Sequence, residues 1–296
     1  MCRKASVYCM KLVSVFSITS DSMVKVVVLF FIFPIIAGCS HLIFLPNQIQ
    51  YSTPDDFGLE YEDIFLRTPE NIRLHAWFLP SKVDAKGTVF FLHGNAQNIS
   101  AHIYSVYWLP KNGYNVFMID YRGYGASTGT PTVQGVLDDI SMGFAWLVQN
   151  QQVQKGPIFL LGQSLGASLG IYFVGTHSHA KKQLAGVILD AAFSSFRSIA
   201  REKLDSFWLT WPLQYPLSFL IPDNFDPEDV IQNISPVPVL IMHSKDDQIV
   251  PSTHGQILYE LAGKPKFFVQ TKNGHIATFK YREYREAALK FMAAFD

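Results

Sequence analysis

The chain has 296 residues, of which 49% are hydrophobic, and its 24 basic side chains balance 24 acidic ones. This composition supports a sizeable hydrophobic core, and the zero formal net charge gives no indication of a nucleic-acid partner. All three cysteines, Cys2, Cys9 and Cys39, lie near the N-terminus. Residues 40–296 therefore offer no cysteine for a disulfide, a metal site or a thiol nucleophile, so catalysis there would depend on serine, histidine and carboxylates.

The first predicted element is an export signal. A run of twelve uncharged residues, 26–37, follows Lys25 and is followed by small residues. A helix needs about 20 apolar residues to cross a bilayer, whereas a secretory signal has a basic start, a shorter apolar run and a small-residue end. Residues 1–22 carry no such pattern, so Met23 is an alternative start of translation.

The tetrapeptide Ile-Ala-Gly-Cys at 36–39 resembles the lipobox of bacterial lipoproteins. The resemblance implies that Cys39 is acylated and becomes the mature N-terminus, so that 1–39 is a lipoprotein signal segment and 40–54 a tether. The domain is then expected over 55–296, anchored by this lipid to a membrane of the cell envelope on its periplasmic or extracytoplasmic face. The alternative is an uncleaved signal-anchor with Cys39 as an ordinary apolar residue.

The domain is predicted to begin with an antiparallel hairpin. Residues 61–67 and 72–79 partly alternate between apolar and polar, and they flank a Pro-Glu-Asn turn signal at 69–71. Six short apolar runs follow, at 88–92, 115–120, 157–161, 186–190, 237–243 and 266–270. Continuous runs of this kind are typical of a parallel sheet covered on both faces.

Helix-length segments separate these runs, at 99–112, 133–149, 165–177, 252–262 and 281–295. In 133–149 the apolar residues recur every three or four positions, which predicts a helix with one buried stripe. Alternation of strand and helix after a leading hairpin predicts a doubly wound, mostly parallel α/β sheet. Functional residues in such sheets lie at the carboxyl ends of the strands.

A nucleophile elbow is predicted at the end of the third of these runs. The sequence GQSLG at 162–166 follows an apolar run and opens a helix, which is the strand–turn–helix context of the G-x-S-x-G motif. Small flanking residues permit a sharp turn that exposes the Ser164 hydroxyl at a helix N-terminus, where the helix dipole favours developing negative charge. Ser164 is therefore the predicted nucleophile; the alternative is a solvated serine in an ordinary turn.

This elbow resembles that of the α/β-hydrolase superfamily. In that superfamily the loop after an earlier strand supplies one backbone N–H of the oxyanion hole, and the residue after the nucleophile supplies the other. The sequence HGNA at 93–96 follows the run 88–92 directly. The resemblance implies Asn95 and Leu165 as the two donors, with a plain turn at 93–96 as the alternative; His93 is expected to be structural.

The residues HSKDDQIVP at 243–251 resemble the superfamily segment H-G-x-x-D-x-x-V-P, whose aspartate orients the catalytic histidine. Alignment on the final Val-Pro pair selects Asp247 over Asp246, although Ser244 replaces the usual glycine. Asp190, at the end of the run 186–190, is the reserve candidate for the acid. Its alternative role is to cap the next turn.

The general base is expected after the last strand. His275 closes the sequence KNGH at 272–275, directly behind the run 266–270. The order Ser164, Asp247, His275 is the one expected of an α/β hydrolase. A triad of this kind needs neither a metal nor an organic cofactor.

A further resemblance indicates a subgroup within the α/β-hydrolase superfamily. Residues 120–129, DYRGYGASTG, look like a stretch found in many bacterial serine-aminopeptidase-like α/β hydrolases. The stretch also occurs in eukaryotic membrane-associated relatives, some of which are protein depalmitoylases. The resemblance covers roughly 61–295 and implies the fold and triad, but it says little about the substrate. Arg122 is expected to brace this loop rather than to contact substrate.

An insertion at about 196–236 is too long for a simple crossover helix and is rich in aromatic residues. We expect a small helical lid over the active site, whose aromatic face forms an acyl-binding wall or touches the membrane. Simple packing onto the domain is the alternative.

These residues together predict a serine hydrolase that cleaves a carboxylic ester or thioester in an acylated or other small-molecule substrate. The runner-up is a serine aminopeptidase or other amide hydrolase, which would need carboxylates near the pocket to hold a free amine. The insertion contains such candidates: Asp205, Asp223, Asp226, Glu228 and Asp229. The alternative from another class is a lipoprotein that binds ligands without catalysis.

Overall fold

Eight strands form the central sheet in the part of the chain that the computed structural model describes, which is residues 43–150, 156–205, 210–219, 221 and 223–295. In chain order they are β1 (Glu62–Arg67), β2 (Arg73–Leu79), β3 (Gly87–Leu92), β4 (Tyr114–Ile119), β5 (Ile158–Gln163), β6 (Leu184–Asp190), β7 (Val239–Ser244) and β8 (Lys266–Thr271). Their spatial order is β8-β7-β6-β5-β3-β4-β2-β1.

The direction of the strands agrees with the prediction. β1 and β2 form the antiparallel hairpin, and β2 also pairs antiparallel with β4. The remaining neighbours pair in parallel. The predicted α/β-hydrolase fold, a mostly parallel sheet with an N-terminal antiparallel pair, is therefore confirmed.

The side chains of the central strands pack into two hydrophobic cores, one on each face of the sheet. Every residue of β3, β4 and β5 is buried, as expected of parallel strands covered on both faces. In β3, Phe90 and Leu92 belong to one core, whereas Val89 and Phe91 belong to the other. This alternation follows from the two-residue period of a strand.

The helices of the described residues are α1 (Ile99–His102), α2 (Val133–Gln149), α3 (Leu165–Thr176), α4 (Ser178–Gln183), α5 (Phe196–Asp205), α6 (Gln214–Ser218), α7 (Pro227–Val230), α8 (Ser252–Leu261) and α9 (Arg282–Ala293). α2 begins where it was predicted because the Thr132 side chain accepts a hydrogen bond from the Gly135 N–H at 3.0 Å, which caps the helix. Within these residues, no helix combines the length and the apolar character that a membrane crossing requires.

The single helix predicted over 99–112 is wrong. α1 ends at His102, and two 3₁₀ turns follow, at Ile103–Ser105 and Pro110–Asn112. Pro110 has no N–H to donate to the carbonyl four residues earlier, so the helical ladder cannot continue through it.

The predicted signal segment 1–39 lies outside the described residues, and so do its lipidation site Cys39 and the first three tether residues. From Ile43 onward the predicted tether is in contact with the domain. Phe44 is only 1% exposed and belongs to one of the two hydrophobic cores.

The insertion at 196–236 contributes α5, α6 and α7. The predicted aromatic face is partly exposed, with Tyr215 and Phe219 open to solvent. The guanidinium carbon of Arg201 lies 5.2 Å from the ring centre of Tyr215, and that of Arg197 lies 5.3 Å from the ring centre of Phe219. These distances allow cation–π attraction, so the two rings are held against arginines of α5.

Phe90→Ala is expected to lower the free energy of unfolding by about 3–5 kcal/mol. Phe90 is fully buried, with its ring centre 5.7 Å from that of Phe117 and 6.0 Å from that of Phe144, so truncation leaves a cavity. Urea unfolding followed by circular dichroism measures the change. The control Phe65→Ala, at a side chain 56% exposed on the edge strand β1, should cost about 1 kcal/mol or less. Equal losses would contradict this assignment of the core.

Candidate active site

Ser164 occupies the turn between β5 and α3. Its φ of 52° and ψ of −117° lie outside the regions that L residues ordinarily adopt, so this turn is strained. The Ser164 N–H donates to the carbonyl of Asp190 at the end of β6, at 2.8 Å. The Ser164 carbonyl accepts from the N–H of Ser168 at 3.0 Å. The strained residue is thus held by the neighbouring strand on one side and by the helix on the other.

Two glycines make room for this turn. A Cβ at Gly162 would lie 2.5 Å from the Cα of Ala167, and a Cβ at Gly166 would lie 2.3 Å from the carbonyl oxygen of Leu92. Both distances are well inside van der Waals contact with backbone atoms, which cannot easily move away. The small residues of the G-x-S-x-G pattern therefore have a steric reason on both sides of the serine.

The structure brings the three predicted triad residues together. His275 Nε2 lies 2.8 Å from Ser164 Oγ, and His275 Nδ1 lies 2.7 Å from Asp247 Oδ2. Ser164 lies in the turn between β5 and α3, Asp247 follows β7, and His275 follows β8. The three side chains meet because the carboxyl ends of these parallel strands share one edge of the sheet.

The surroundings of Asp247 determine where the protons lie. Its Oδ1 accepts hydrogen bonds from the N–H groups of Ile249 at 2.8 Å and Val250 at 2.9 Å. Burial acts to raise the pKa of Asp247, but the interaction with His275 and the two backbone donors outweigh it and hold that pKa below its usual value. An ionised carboxylate only accepts, so in the neutral imidazole of His275 the proton is on Nδ1, and Nε2 accepts a hydrogen bond from the Ser164 hydroxyl.

The neighbouring carboxylate Asp246, which was the alternative acid, points elsewhere. It is exposed, and its Oδ2 accepts from the backbone N–H of Asn273 at 3.2 Å. Asp246 therefore braces the loop that carries His275, whereas Asp247 contacts the imidazole itself.

The predicted oxyanion donors lie on two adjacent backbone segments. Leu165 is the first residue of α3, where a helix leaves its N–H without an intrahelical partner. The loop that carries Asn95 packs against the elbow, because a Cβ at Gly166 would also lie 2.5 Å from the carbonyl oxygen of His93. The roles of Leu165 and Asn95 as oxyanion donors stay predictions.

His93 is built into the scaffold of this loop. Its side chain is fully buried, and its ring stacks on that of Tyr121 with the ring centres 4.2 Å apart. The hydroxyl of Tyr121 donates to the carbonyl of His93 at 3.0 Å. Burial lowers the pKa of His93 well below its ordinary value, so the ring is neutral. This agrees with the expected structural role of His93.

Sequence reasoning missed the part that Asp190 plays at this site. Asp190 is fully buried; its Oδ2 accepts from the Gln163 amide at 2.7 Å, and its Oδ1 accepts from the Thr278 hydroxyl at 2.7 Å. Asp190 thus joins the residue before the nucleophile to the segment after His275. Burial raises its pKa to about 6, despite the two hydrogen bonds that act in the opposite direction. The available signal was an aspartate that ends a buried strand beside the elbow.

Arg122 braces its loop by a bidentate contact. Its Nη2 donates to Asp139 Oδ1 at 2.7 Å and its Nε donates to Asp139 Oδ2 at 3.0 Å, while the Arg122 backbone N–H also donates to Oδ2 at 2.8 Å. The loop at 120–129 is therefore fastened to α2. Across the described residues, no group of three or more histidine, cysteine or acidic side chains is arranged to hold a metal ion.

Known proteins share both the sequence and the fold of this chain. The family model described as serine aminopeptidase, S33, matches residues 83–235, which include Asn95 and Ser164 and end before Asp247. The protein YfhR of Salmonella typhimurium is 35% identical, over 90% of this chain and 95% of its own length. The zebrafish (Danio rerio) lysophosphatidylserine lipase ABHD12 is 27% identical, over 79% of this chain and 66% of its own length.

Among solved structures, the esterase Pf2001 of Pyrococcus furiosus has a TM-score of 0.69 to this chain. The two sequences are 23% identical, and the match covers 86% of this chain and 97% of that one. At this level of identity the likeness concerns the fold, which agrees with the strand order described above.

Asp190→Asn is expected to keep the fold and to change how stability depends on pH. The folded-state pKa of Asp190 is raised from 3.8 to about 6, so its favourable contribution is present at low pH and is lost as pH rises from about 4 to about 6. That loss is on the order of 3 kcal/mol. The asparagine amide can still accept from Gln163 and donate to Thr278, but it does not titrate.

Urea unfolding of both proteins at about pH 4 and about pH 7 measures this difference. The variant should lose less stability than the wild type between the two conditions. Parallel changes in the two proteins would contradict the raised pKa of Asp190.

Proposed function

The chain belongs to the serine aminopeptidase S33 family of α/β hydrolases, and on that premise we propose that it is a serine hydrolase that cleaves a carboxylic ester or thioester. The observation that carries this proposal is the continuous hydrogen-bonded chain from Asp247 through His275 to the Ser164 hydroxyl. In the proposed reaction this chain forms and then hydrolyses an acyl-enzyme.

The acylation step follows from these contacts. His275 Nε2 removes the proton from Ser164 Oγ as that oxygen forms a bond to the substrate carbonyl carbon. The carbonyl oxygen becomes an oxyanion and accepts hydrogen bonds from the backbone N–H groups of Leu165 and Asn95, each worth about 2.7–4 kcal/mol of barrier. Collapse of the intermediate breaks the bond to the leaving alcohol or thiol, which takes the proton from His275.

Deacylation repeats the sequence with water as the nucleophile. His275 takes a proton from water, whose oxygen attacks the acyl carbon, and the proton then returns to Ser164 as the free acid leaves. Asp247 stays ionised throughout, because its two backbone donors and His275 keep its pKa low. It fixes the imidazole tautomer and stabilises the imidazolium formed in each half-reaction.

We favour ester or thioester cleavage over aminopeptidase activity because acidic side chains of the insertion, which would have to hold a free amine, already have partners within the protein. Asp223, Asp226, Glu228 and Asp229 line a cavity of about 410 Å³ together with two arginines. Asp223 is paired with Arg197 at 2.8 Å, and Asp226 accepts from the Phe196 N–H at 2.8 Å, so both already have partners. The zebrafish relative, whose name is that of a lipase, further supports an ester.

We place the site of action at a membrane of the cell envelope. The apolar run 26–37 and the following lipobox-like Cys39 support a lipid anchor. We propose an acylated molecule as the substrate. A single acyl chain binds membranes only marginally, whereas two or more anchor a protein stably.

Cys39→Ser should therefore abolish incorporation of labelled fatty acid and release the protein from the membrane fraction. Unchanged membrane retention of that variant would favour an uncleaved signal-anchor.

Ser164→Ala is expected to lower kcat for short p-nitrophenyl esters by about 10⁶-fold, because nucleophile and base act as one unit. The variant should also lose labelling by a fluorophosphonate probe while keeping the wild-type circular dichroism spectrum. Ser141→Ala, at a half-buried serine of α2 whose hydroxyl donates to the Leu137 carbonyl, is the matched control and should retain full activity. Labelling that persists in Ser164→Ala would overturn the assignment of Ser164 as the nucleophile. A wild type that is never labelled would favour a ligand-binding protein without catalysis.

A substrate comparison separates the two hydrolytic candidates. We expect higher kcat/KM for acyl esters and acyl thioesters than for aminoacyl p-nitroanilides, because the acidic cavity is already partly neutralised. Asp229→Asn should leave ester hydrolysis unchanged. If aminoacyl p-nitroanilides are cleaved faster, and Asp229→Asn raises their KM alone, the protein is an aminopeptidase.

A further inference from the structure

The residues 43–51, called here the N-terminal strap, lie along the loop at 93–97, called here the oxyanion loop. The strap is fixed at its start by Phe44, which is 1% exposed and packed in the core. The next two residues, Leu45 and Pro46, pair in parallel with Ala96 and Gln97 of the oxyanion loop. A segment expected to serve only as a tether is thus paired with the backbone beside the nucleophile.

The side chain of Asn95 is the junction between strap and loop. Its Nδ2 donates to the carbonyl of Ile43 at 2.6 Å. Its Oδ1 accepts from the Leu45 N–H at 2.9 Å and from the Tyr124 hydroxyl at 2.9 Å. The amide is therefore bonded at both ends to the strap and to the buried Tyr124, and the proposed oxyanion donor of this residue is its backbone N–H.

Further hydrogen bonds fasten the remainder of the strap. The carbonyl of Asn47 accepts from the Gly125 N–H at 2.9 Å and from the Asn98 amide at 2.9 Å. The same Asn98 amide donates to the carbonyl of Ile49 at 2.8 Å. The Tyr51 N–H donates to the Ser100 hydroxyl at 2.9 Å. The strap thus bridges the oxyanion loop, the start of α1 and the loop at 120–129.

From these contacts we infer that the N-terminal strap is a positioning element of the active site, which holds the Asn95 N–H where the oxyanion forms. The inference rests on the proposed function and adds to it. A donor stabilises an oxyanion only when it lies about 2.7–3.1 Å from it, and a displacement near 1 Å costs about 10²-fold in rate. An irregular surface loop does not hold such a position alone, whereas a loop bonded to a core-anchored segment does.

The strap also connects the domain to the proposed anchor. Its first described residue, Ile43, follows Cys39 by four positions and supplies a carbonyl to Asn95. Truncation of the chain past residue 44 removes both this carbonyl and the buried phenyl ring. Activity is therefore expected to depend on residues that a boundary drawn at 55 would discard.

Two variants of the full chain test the inference. Asn95→Ala removes the amide that joins strap and loop but leaves the backbone N–H in place. Phe44→Ala removes the buried side chain that anchors the strap in the core. Both should lower kcat for a short p-nitrophenyl ester about 10- to 100-fold with KM nearly unchanged. The inhibition constant of a trifluoromethyl ketone, which forms a hemiketal oxyanion on Ser164, should rise by a similar factor.

The controls lie in the same segment. Leu45→Ala and Ile49→Ala truncate side chains that are 59% and 60% exposed and leave the backbone bonds of the strap intact, so kcat should stay at the wild-type level. Rates are normalised to sites titrated with the fluorophosphonate probe, which removes unfolded protein from the comparison. Thermal melting of both variants shows whether each still folds. If Phe44→Ala does not fold, Asn95→Ala still tests the inference.

The outcomes separate the strap from the catalytic proposal. Wild-type kcat and inhibitor affinity in Asn95→Ala would overturn the positioning role while the serine hydrolase stands. A fall in kcat without any loss of inhibitor affinity would overturn it as well, because the oxyanion hole would be intact. A wild-type protein without Ser164-dependent turnover would overturn the proposed function and the strap's role together.

Discussion

The strained turn at Ser164 is the constraint on which the rest of the site depends. A non-glycine residue at a φ of 52° is unfavourable by about 1–3 kcal/mol and persists only where its surroundings fix it. Here the fixing contacts are the Asp190 carbonyl of β6 and the first turn of α3, both parts of the buried core. Core packing therefore compensates the strain, and the turn directs the hydroxyl towards His275.

Two buried carboxylates near this turn have opposite pKa shifts, and the difference separates their roles. Asp247 receives hydrogen bonds from His275 and from two backbone N–H groups, so its charged form is stabilised. Asp190 receives two side-chain hydrogen bonds from neutral groups, and burial prevails, so its neutral form is favoured. One carboxylate supplies charge to the imidazole, and the other ties the elbow to the segment beyond the imidazole.

The rim of the site is assembled from segments far apart in the chain. The N-terminal strap, the oxyanion loop and the loop at 120–129 are joined through Asn95 and Tyr124 by side-chain hydrogen bonds. These hydrogen bonds make the geometry of each segment depend on that of the others. A change in the strap is thereby transmitted to the backbone beside Ser164, although the strap precedes the sheet.

The sequence by itself determined the fold class, the elbow and the residues that meet in it. Apolar runs, helical stripes and the motifs around Ser164, Asp247 and His275 are local signals, and parallel strands bring their ends to one edge. Only the tertiary structure decided that Asp190 ties the elbow to the segment after His275 and that the tether is paired with the oxyanion loop. The bond from Asn95 to Ile43 joins residues 52 positions apart, and such a contact leaves no periodic trace because neither partner needs an apolar or helical pattern to make it.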